Sequence, residues 1–420
     1  MSLIGHPVPR PIPSVVAVPC RAHDNSRRKD TGRKLNMQVN VLGTSNSILR
    51  GGWVDGLRDT IPDPDRVVNL SVGASSSAFV LWQLADSGLP GRQPDTFYLV
   101  DTLVNDETFI AAKNLQAVWW NRYQRHLLRI LPPQRTCLVG FSSRKFFDMP
   151  STEAMWLESL SAAHGTSFVS LRRILREALT RARQVRPDAN VDDIFEDPGH
   201  FHRHLSCLFG KWLGKALSDL IAAPDSDGGA MPFPFETLCP EDHDGIEETR
   251  HTTLREQRTA LLPTGTTFTL PGDRILHGIC VDASNTRCIL DIDAGPGNRV
   301  SLELAYNSNS PRMQVKFVHF QSPLVLGSEG AVVRIVQKPE FRLIKGVHSR
   351  PNDGPYHGLR LLSFLSGPME EVEMPPPFPP PDAPNVLIDM ENRCLEEAGL
   401  VEVISDPPDL PRYPRSFIEL

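Results

Sequence analysis

A serine, an aspartate and a histidine in the first half of the chain have the side chains that ester cleavage needs. Ser45 follows the apolar run Val39–Leu42 and Gly43, so we expect it between the end of a strand and the start of a helix. Asp197-Pro198-Gly199-His200 places a carboxylate three residues before an imidazole. Histidine oriented by a carboxylate can take the proton of a serine hydroxyl near neutral pH. These residues therefore predict nucleophilic acyl chemistry.

Each of these residues also has an ordinary structural interpretation. Ser45 or Ser47 could be the N-cap of a helix, and Asp197-Pro198-Gly199 is a strong turn signal. A turn is compatible with catalysis, because it can present His200. His204 leads into an apolar helix pattern and is the alternative base.

Two more stretches follow predicted strands, namely 69–77 and 101–107. In an open α/β sheet the carboxyl ends of the strands converge on one crevice, so both stretches would lie beside Ser45. The backbone N–H groups of Ser45 and Gly73 and the side-chain amide of Asn105 could then stabilise an oxyanion. Gly73 could instead be a turn glycine, and Asn105-Asp106 could be turn and cap residues.

Strand-like and helix-like runs alternate from Gln38 to about Ala223. This alternation predicts βαβ units and one doubly wound parallel sheet of five strands. The best helical patterns are Lys113–Leu131 and Leu205–Ile221, which carry apolar residues on one face. The predicted strands are Val39–Leu42, Arg66–Leu70, Thr96–Val100, Thr136–Val139 and Ser167–Leu171.

The four strand-end stretches, in this order, resemble the motifs of the SGNH (GDSL-type) hydrolases over about residues 38–222. The serine motif resembles Gly43-Thr44-Ser45-Asn46-Ser47, and the glycine motif resembles Asn69 through Gly73. The asparagine motif resembles Leu103-Val104-Asn105-Asp106, and the histidine motif is Asp197-Pro198-Gly199-His200. Thr44 stands where the family usually has Asp, and Leu103 where it usually has Gly, so the match is to a divergent member.

The resemblance implies a flavodoxin-like catalytic domain with Ser45 as nucleophile, His200 as base and Asp197 as the partner of the base. It also implies that Ser45, Gly73 and Asn105 form the oxyanion hole. The expected activity is that of a carboxylic-ester hydrolase, or an O-acyltransferase where an alcohol replaces water. An acetylated carbohydrate is the first expected substrate and a lipid ester is the second, with another small ester as the general alternative.

Two other assignments concern substrate and metal binding. Trp53 could stack on a sugar, or pack in the core as a helix residue. Arg50 could bind an anionic group near Ser45, or be a solvated helix residue. His200, His202 and His204 alternate along the chain and could hold zinc, which would make the protein a metal-dependent hydrolase. The triad interpretation needs neither a metal nor a cofactor, so none is expected.

The rest of the chain divides by composition. Residues 1–36 form a basic, proline-containing arm that we expect to be disordered, before the catalytic domain at 37–223. Residues 224–262 are rich in Gly, Pro and Asp and are interpreted as a linker or excursion. Residues 263–367 alternate β-type runs with turn signals, which predicts an all-β, sandwich-like accessory domain. Residues 368–420 are acidic and proline-rich, and we expect them to be disordered apart from a short helix at 386–398.

Composition narrows the functional classes. The formal net charge is −6, which gives no sign of nucleic-acid binding, and no apolar run approaches the roughly 20 residues of a membrane span. The seven cysteines include no Cys-x-x-Cys pair, so a reducing, cytoplasmic location is expected. A non-catalytic glycan-binding protein on the same fold is the remaining alternative.

Overall fold

The computed structural model describes residues 37–87, 96–221, 233–240, 245–252, 256–284, 286–306, 311–345, 356–367 and 386–407. The predicted basic arm at 1–36 lies outside these residues. None of the described helices is long and apolar enough to cross a membrane.

The first half of the chain is built around a five-stranded, all-parallel sheet in the order β2-β1-β3-β4-β5. All five predicted strands are present, each within a residue or two of its predicted bounds, so the predicted α/β architecture is confirmed. In chain order the elements are β1 (Gln38–Leu42), α1 (Ser45–Ile48), α2 (Trp53–Arg58), β2 (Val67–Asn69), α3 (Ser77–Asp86), β3 (Thr96–Val100), α4 (Leu103–Ala111), α5 (Ala117–Ile130), β4 (Thr136–Gly140), α6 (Thr152–His164), β5 (Ser167–Ser170), α7 (Leu171–Val185), β6 (Phe195–Asp197), β7 (His200–Phe201) and α8 (Arg203–Ile221).

The parallel sheet separates two hydrophobic cores, because successive side chains of a strand point to opposite faces. Phe97 and Leu99 of β3 enter the core on the side of α2, α7 and α8. Tyr98 and Val100 enter the core on the side of α3 and α5. Both faces of the sheet are therefore buried.

The second half of the described chain is β-rich, as predicted. Its strands are hydrogen-bonded into one 11-stranded sheet that is antiparallel except where β14 pairs with β17. In chain order they are β8 (Glu236–Leu238), β9 (Ile246–His251), β10 (Glu256–Pro263), β11 (Thr267–Leu270), β12 (Arg274–Asp282), β13 (Arg287–Asp293), β14 (Arg299–Ala305), β15 (Val315–Leu326), β16 (Ala331–Val336), β17 (Leu343–Lys345) and β18 (Gly358–Ser366).

The structure differs from the predicted linker at 224–262, because β8, β9 and most of β10 lie there. β10 pairs with β18 on one side and with β9 on the other. β9 is an edge strand with several charged side chains, of which Glu247 is exposed and Arg250 is 17% exposed and paired with Asp282. Charges are a normal protection for an unpaired strand edge, and they gave this segment the composition of a linker.

The predicted disordered tail at 368–420 is described only at 386–407, where a second helix adds to the predicted short helix, and the rest of it lies outside the described residues. Within 368–420 the described helices are α9 (Val386–Glu397) and α10 (Leu400–Ser405), the first close to the predicted short helix. Cys394, Leu400 and Ile404 are buried against α7 and α8. The carboxylate of Glu391 accepts hydrogen bonds from the Ser170 N–H and from Arg173. Glu391 of this acidic segment therefore pairs with a basic residue of α7.

Candidate active site

The turn after β1 presents Ser45 as the first residue of α1. Thr44 is the N-cap, and its hydroxyl accepts a hydrogen bond from the Asn46 N–H at 3.3 Å. A Cβ at position 43 would overlap the Ser47 hydroxyl, so glycine is required here for close packing. Ser47 is fully buried and donates its hydroxyl to Asp101 at 2.9 Å, whereas Ser45 is only partly buried. Ser45 is therefore the hydroxyl available for chemistry.

The Asp197–His200 turn joins β6 to β7 and is itself built around the aspartate. Asp197 Oδ1 accepts hydrogen bonds from the backbone N–H groups of Gly199 at 2.7 Å and His200 at 3.1 Å. His200 Nδ1 lies 2.8 Å from Asp197 Oδ2. Partial burial acts to raise the pKa of Asp197, but the hydrogen bond from His200 and the backbone donors outweigh it and hold that pKa below its ordinary value. The Asp197–Gly199 turn and the Asp197–His200 pair are thus held by the same carboxylate.

His200 Nε2 lies 2.7 Å from Ser45 Oγ. When Nδ1–H donates to Asp197, Nε2 is left as an acceptor for the Ser45 hydroxyl proton. The structure thus brings the three predicted residues into a continuous Ser–His–Asp hydrogen-bond chain. It also places His200, and not the alternative His204, against the serine.

Packing between α2 and α8 sets the distance between Ser45 and His200, because α2 follows the turn with Ser45 and α8 follows His200. A Cβ on Gly210 of α8 would overlap the backbone of Trp53, and a Cβ on Gly56 of α2 would overlap the backbone of Cys207. The two helices therefore touch backbone to backbone. A second support comes from the loop after β4, where the Arg144 N–H donates to the Pro198 carbonyl at 3.0 Å.

The candidate oxyanion donors lie around the same serine. A Cβ at Gly73 would stand 4.0 Å from the Cβ of Ser45, so the loop that contains Gly73 passes directly beside the turn that carries Ser45. Within the part of the chain that the structure describes, neither the Ser45 N–H nor the Gly73 N–H donates to a protein acceptor. One N–H of the Asn105 amide donates to the Ser75 carbonyl at 2.8 Å, which leaves the other available.

Asp101 is a site residue to which sequence reasoning gave no role. It follows β3, is fully buried, and accepts hydrogen bonds from Thr44 and Ser47, which flank Ser45. Burial raises the pKa of Asp101 to about 6, against the lowering effect of these hydrogen bonds. The available signal was an acidic residue directly after an apolar strand, at the edge where the site was expected.

The structure corrects the assignment of Trp53 as a substrate-binding residue. Its side chain is 0% exposed and packs against Phe141 and Phe209, with ring centroids 5.9 and 6.5 Å away. Trp53 is therefore a core residue at the start of α2. Arg50 is exposed in the turn between α1 and α2, and its assignment to substrate binding stays a prediction.

The three alternating histidines do not converge. Both ring nitrogens of His200 are engaged, by Asp197 and Ser45, while His202 Nε2 lies 3.3 Å from the Asp192 carbonyl. His204 lies on α8, where burial lowers its pKa. Among the described residues, no group of three or more His, Cys, Asp or Glu side chains is arranged to hold a metal ion. The geometry does not support the zinc alternative.

Comparisons with known proteins identify the fold. No family model and no curated protein matches the sequence. A two-domain esterase active on acetylated mannans, solved alone and with mannopentaose, is similar at 13% and 14% identity with TM-scores of 0.50. The alignments cover 79–80% of this chain and 91–92% of that one. An acetyl xylan esterase aligns over 44% of this chain at 12% identity and a TM-score of 0.32. The chain therefore has an α/β domain with a separate β-rich domain, the fold of the two-domain mannan esterase.

Proposed function

We propose that this chain is a serine esterase of the SGNH type that removes an acyl group, in the first instance acetyl, from a carbohydrate. The observation that carries the proposal is the 2.7 Å contact between Ser45 Oγ and His200 Nε2, with His200 Nδ1 on Asp197. This is the arrangement that activates a serine hydroxyl at neutral pH.

In the proposed reaction, Ser45 Oγ attacks the ester carbonyl carbon while its proton passes to His200 Nε2. Asp197 stabilises the imidazolium that forms. The tetrahedral intermediate expels the alcohol, which takes the proton from His200, and the acyl group remains on Ser45. Water then attacks the acyl-enzyme and gives a proton to His200. The second tetrahedral intermediate releases the carboxylic acid while His200 returns that proton to Ser45 Oγ, which restores the free enzyme. An alcohol in place of water would make the same site a transferase.

The negative charge of the tetrahedral intermediate would be received by the Ser45 and Gly73 N–H groups and the Asn105 amide. The free N–H groups of the two backbone donors and their closeness to the serine support this role. Fixed donors at such a position typically lower the barrier by about 2.7–4 kcal/mol each.

The choice of an acetylated carbohydrate rests on the shared two-domain fold. One solved protein with a similar two-domain fold is an esterase active on acetylated mannans.

Hydrolysis of p-nitrophenyl acetate tests the serine mechanism. Ser45→Ala and His200→Ala are expected to lower kcat at least about 10³-fold. Ser322→Ala, an exposed serine on β15, is the matched control and should keep full activity. Equal rates for Ser45→Ala and the unchanged protein would overturn the proposal.

Acetate release from acetylated mannan and acetylated xylan tests the substrate class. We expect release that depends on Ser45 and is faster than from a triacylglycerol of short acyl chains. If the triacylglycerol is preferred, the carbohydrate assignment fails while the serine mechanism stands. Addition of a sugar alcohol as acceptor would show transfer as acetylated product in place of free acetate.

A further inference from the structure

We propose that Asp101 is the positioning residue of the turn at residues 43–47, which holds Ser45 at hydrogen-bonding distance from His200 by accepting hydrogen bonds from both of its flanks. This inference rests on the proposed function and adds a residue outside the Ser45–His200–Asp197 chain.

The backbone of Asp101 is fixed to the strand that leads into the turn. β3 pairs in parallel with β1, with Val100 opposite Leu42. The Asp101 N–H continues this ladder and donates to the Leu42 carbonyl at 2.9 Å. The Asp101 side chain is therefore held beside residues 43–47 by the sheet itself.

One carboxylate oxygen of Asp101 collects three donors from the turn. Oδ2 lies 2.7 Å from Thr44 Oγ1, 3.3 Å from the Thr44 backbone N and 2.9 Å from Ser47 Oγ. Thr44 precedes Ser45, and Ser47 follows it by two residues. The hydrogen bonds therefore fix both ends of the short segment that carries the nucleophile.

The turn needs these hydrogen bonds to Asp101, because α1 is only four residues long. A single helical turn has little stability of its own. Ser47 Oγ occupies the space that a Cβ at position 43 would take, so it is confined between Gly43 and Asp101. A change in the Asp101 contacts would shift Ser47 and, with it, the direction of the Ser45 side chain.

The hydrogen bonds from Thr44 and Ser47 are strongest when Asp101 is an ionised carboxylate. Hydrogen bonds to an ionised acceptor are roughly twice as strong as those between neutral groups. Asp101 Oδ1 is buried and has no hydrogen-bond partner among the described residues, so an amide NH₂ in that position would have no acceptor. A positive charge on His200, which forms when His200 takes the Ser45 proton, favours the anion of Asp101.

The test compares Asp101→Asn and Thr44→Val with Thr44→Ser and Asp282→Asn. Asp282 is also a fully buried carboxylate, but it accepts from Ser284 and Gln314 in the β-rich domain. With p-nitrophenyl acetate, we expect Asp101→Asn and Thr44→Val to lower kcat about 10–100-fold with KM changed less than twofold. Thr44→Ser should restore kcat, and Asp282→Asn should lower Tm but keep kcat. The rate of Ser45 labelling by a fluorophosphonate should fall in parallel with kcat.

Normal kcat and normal labelling in Asp101→Asn and Thr44→Val would overturn the positioning role. A crystal structure of Asp101→Asn tests the positioning role without any measurement of esterase activity. It therefore separates failure of the positioning role from failure of the proposed function. We expect Ser45 Oγ to leave hydrogen-bonding distance of His200 Nε2, and an unchanged turn would overturn the proposal. A wild-type protein whose ester hydrolysis does not depend on Ser45 would overturn the esterase function instead.

Discussion

The Ser76 hydroxyl lies 2.9 Å from His319 Nε2, and this buried contact joins the loop that contains Gly73 in the α/β domain to β15 of the β-rich domain. Around it the two domains share one hydrophobic core. The rings of Phe79 and Phe317 pack edge to face at 6.3 Å, and the Trp82 indole N–H donates to Ser363 at 2.7 Å. The β-rich domain is therefore part of the structure that supports the candidate site.

We expect the two domains to unfold in one transition, because neither can leave without exposing the shared core. All six tryptophans lie between residues 53 and 212, so tryptophan fluorescence reports the α/β domain and, through Trp82, its contact with the β-rich domain. Urea unfolding followed by fluorescence should coincide with unfolding followed by far-UV circular dichroism, which also reports the β-rich domain. A separate β-domain transition would contradict the shared core.

Asn105→Ala is expected to lower kcat by about 10²–10³-fold with little change in KM, because an oxyanion donor acts mainly in the transition state. Steady-state kinetics with p-nitrophenyl acetate measure this. The control is Asn114→Ala, which removes an amide beyond the far end of α4. Equal losses of kcat in the two variants, or a loss confined to KM, would remove Asn105 from the oxyanion hole.

Asp106 should make the protein less stable as the pH rises from 5 to 7. Burial raises its pKa to about 7, against the lowering effect of the hydrogen bond from the Ser77 N–H. Between its unfolded and folded pKa values the folded state holds a proton that the unfolded state lacks, so stability is highest below the unfolded pKa and falls through this window. The loss amounts to about 1.4 kcal/mol per pH unit at most.

Urea unfolding at pH 5, 6, 7 and 8 checks this slope. Asp106→Asn should reduce it, and the slope that remains is expected from Asp101 and Glu107, whose pKa values burial raises to about 6 and about 7. The exposed Asp65→Asn should leave the slope unchanged. A slope that Asp106→Asn does not alter would show that Asp106 is ionised in the folded protein.

The sequence was informative where one local pattern determined the structure. Continuous apolar runs predicted the five buried strands, and the Asp197–Gly199 turn signal coincided with the hydrogen bonds that Asp197 makes to its own turn. Strand ends at one edge of a parallel sheet meet by topology, so Ser45 and His200 could be placed together before their distance was known.

The sequence was uninformative where a contact joins segments distant in the chain. Asp101 acquires its role only through Thr44 and Ser47, 57 and 54 residues away. From the sequence alone, Glu391 is one acidic residue of the tail, because its partner Arg173 lies 218 residues earlier in the chain. The burial of Trp53 could not be predicted either, because the composition near it does not show whether its side chain faces the site or the core.

The last prediction concerns Gly210, where α8 meets α2. Gly210→Ala should lower the free energy of unfolding by about 1–3 kcal/mol, because its Cβ would overlap the Trp53 carbonyl and force the helices apart. Because α2 follows Ser45 and α8 follows His200, the folded fraction should also lose activity. A displacement of about 1 Å between reacting groups typically costs about 10²-fold in rate.

Gly327→Ala is the matched control, since no heavy atom lies within 4 Å of its Cβ position. Urea unfolding and kcat per folded molecule are measured for both. Gly56→Ala, which would overlap the Cys207 carbonyl from the opposite helix, should reproduce both effects. If both variants lose stability but keep kcat, the β6–β7 turn alone positions His200, and the α2–α8 contact serves folding only.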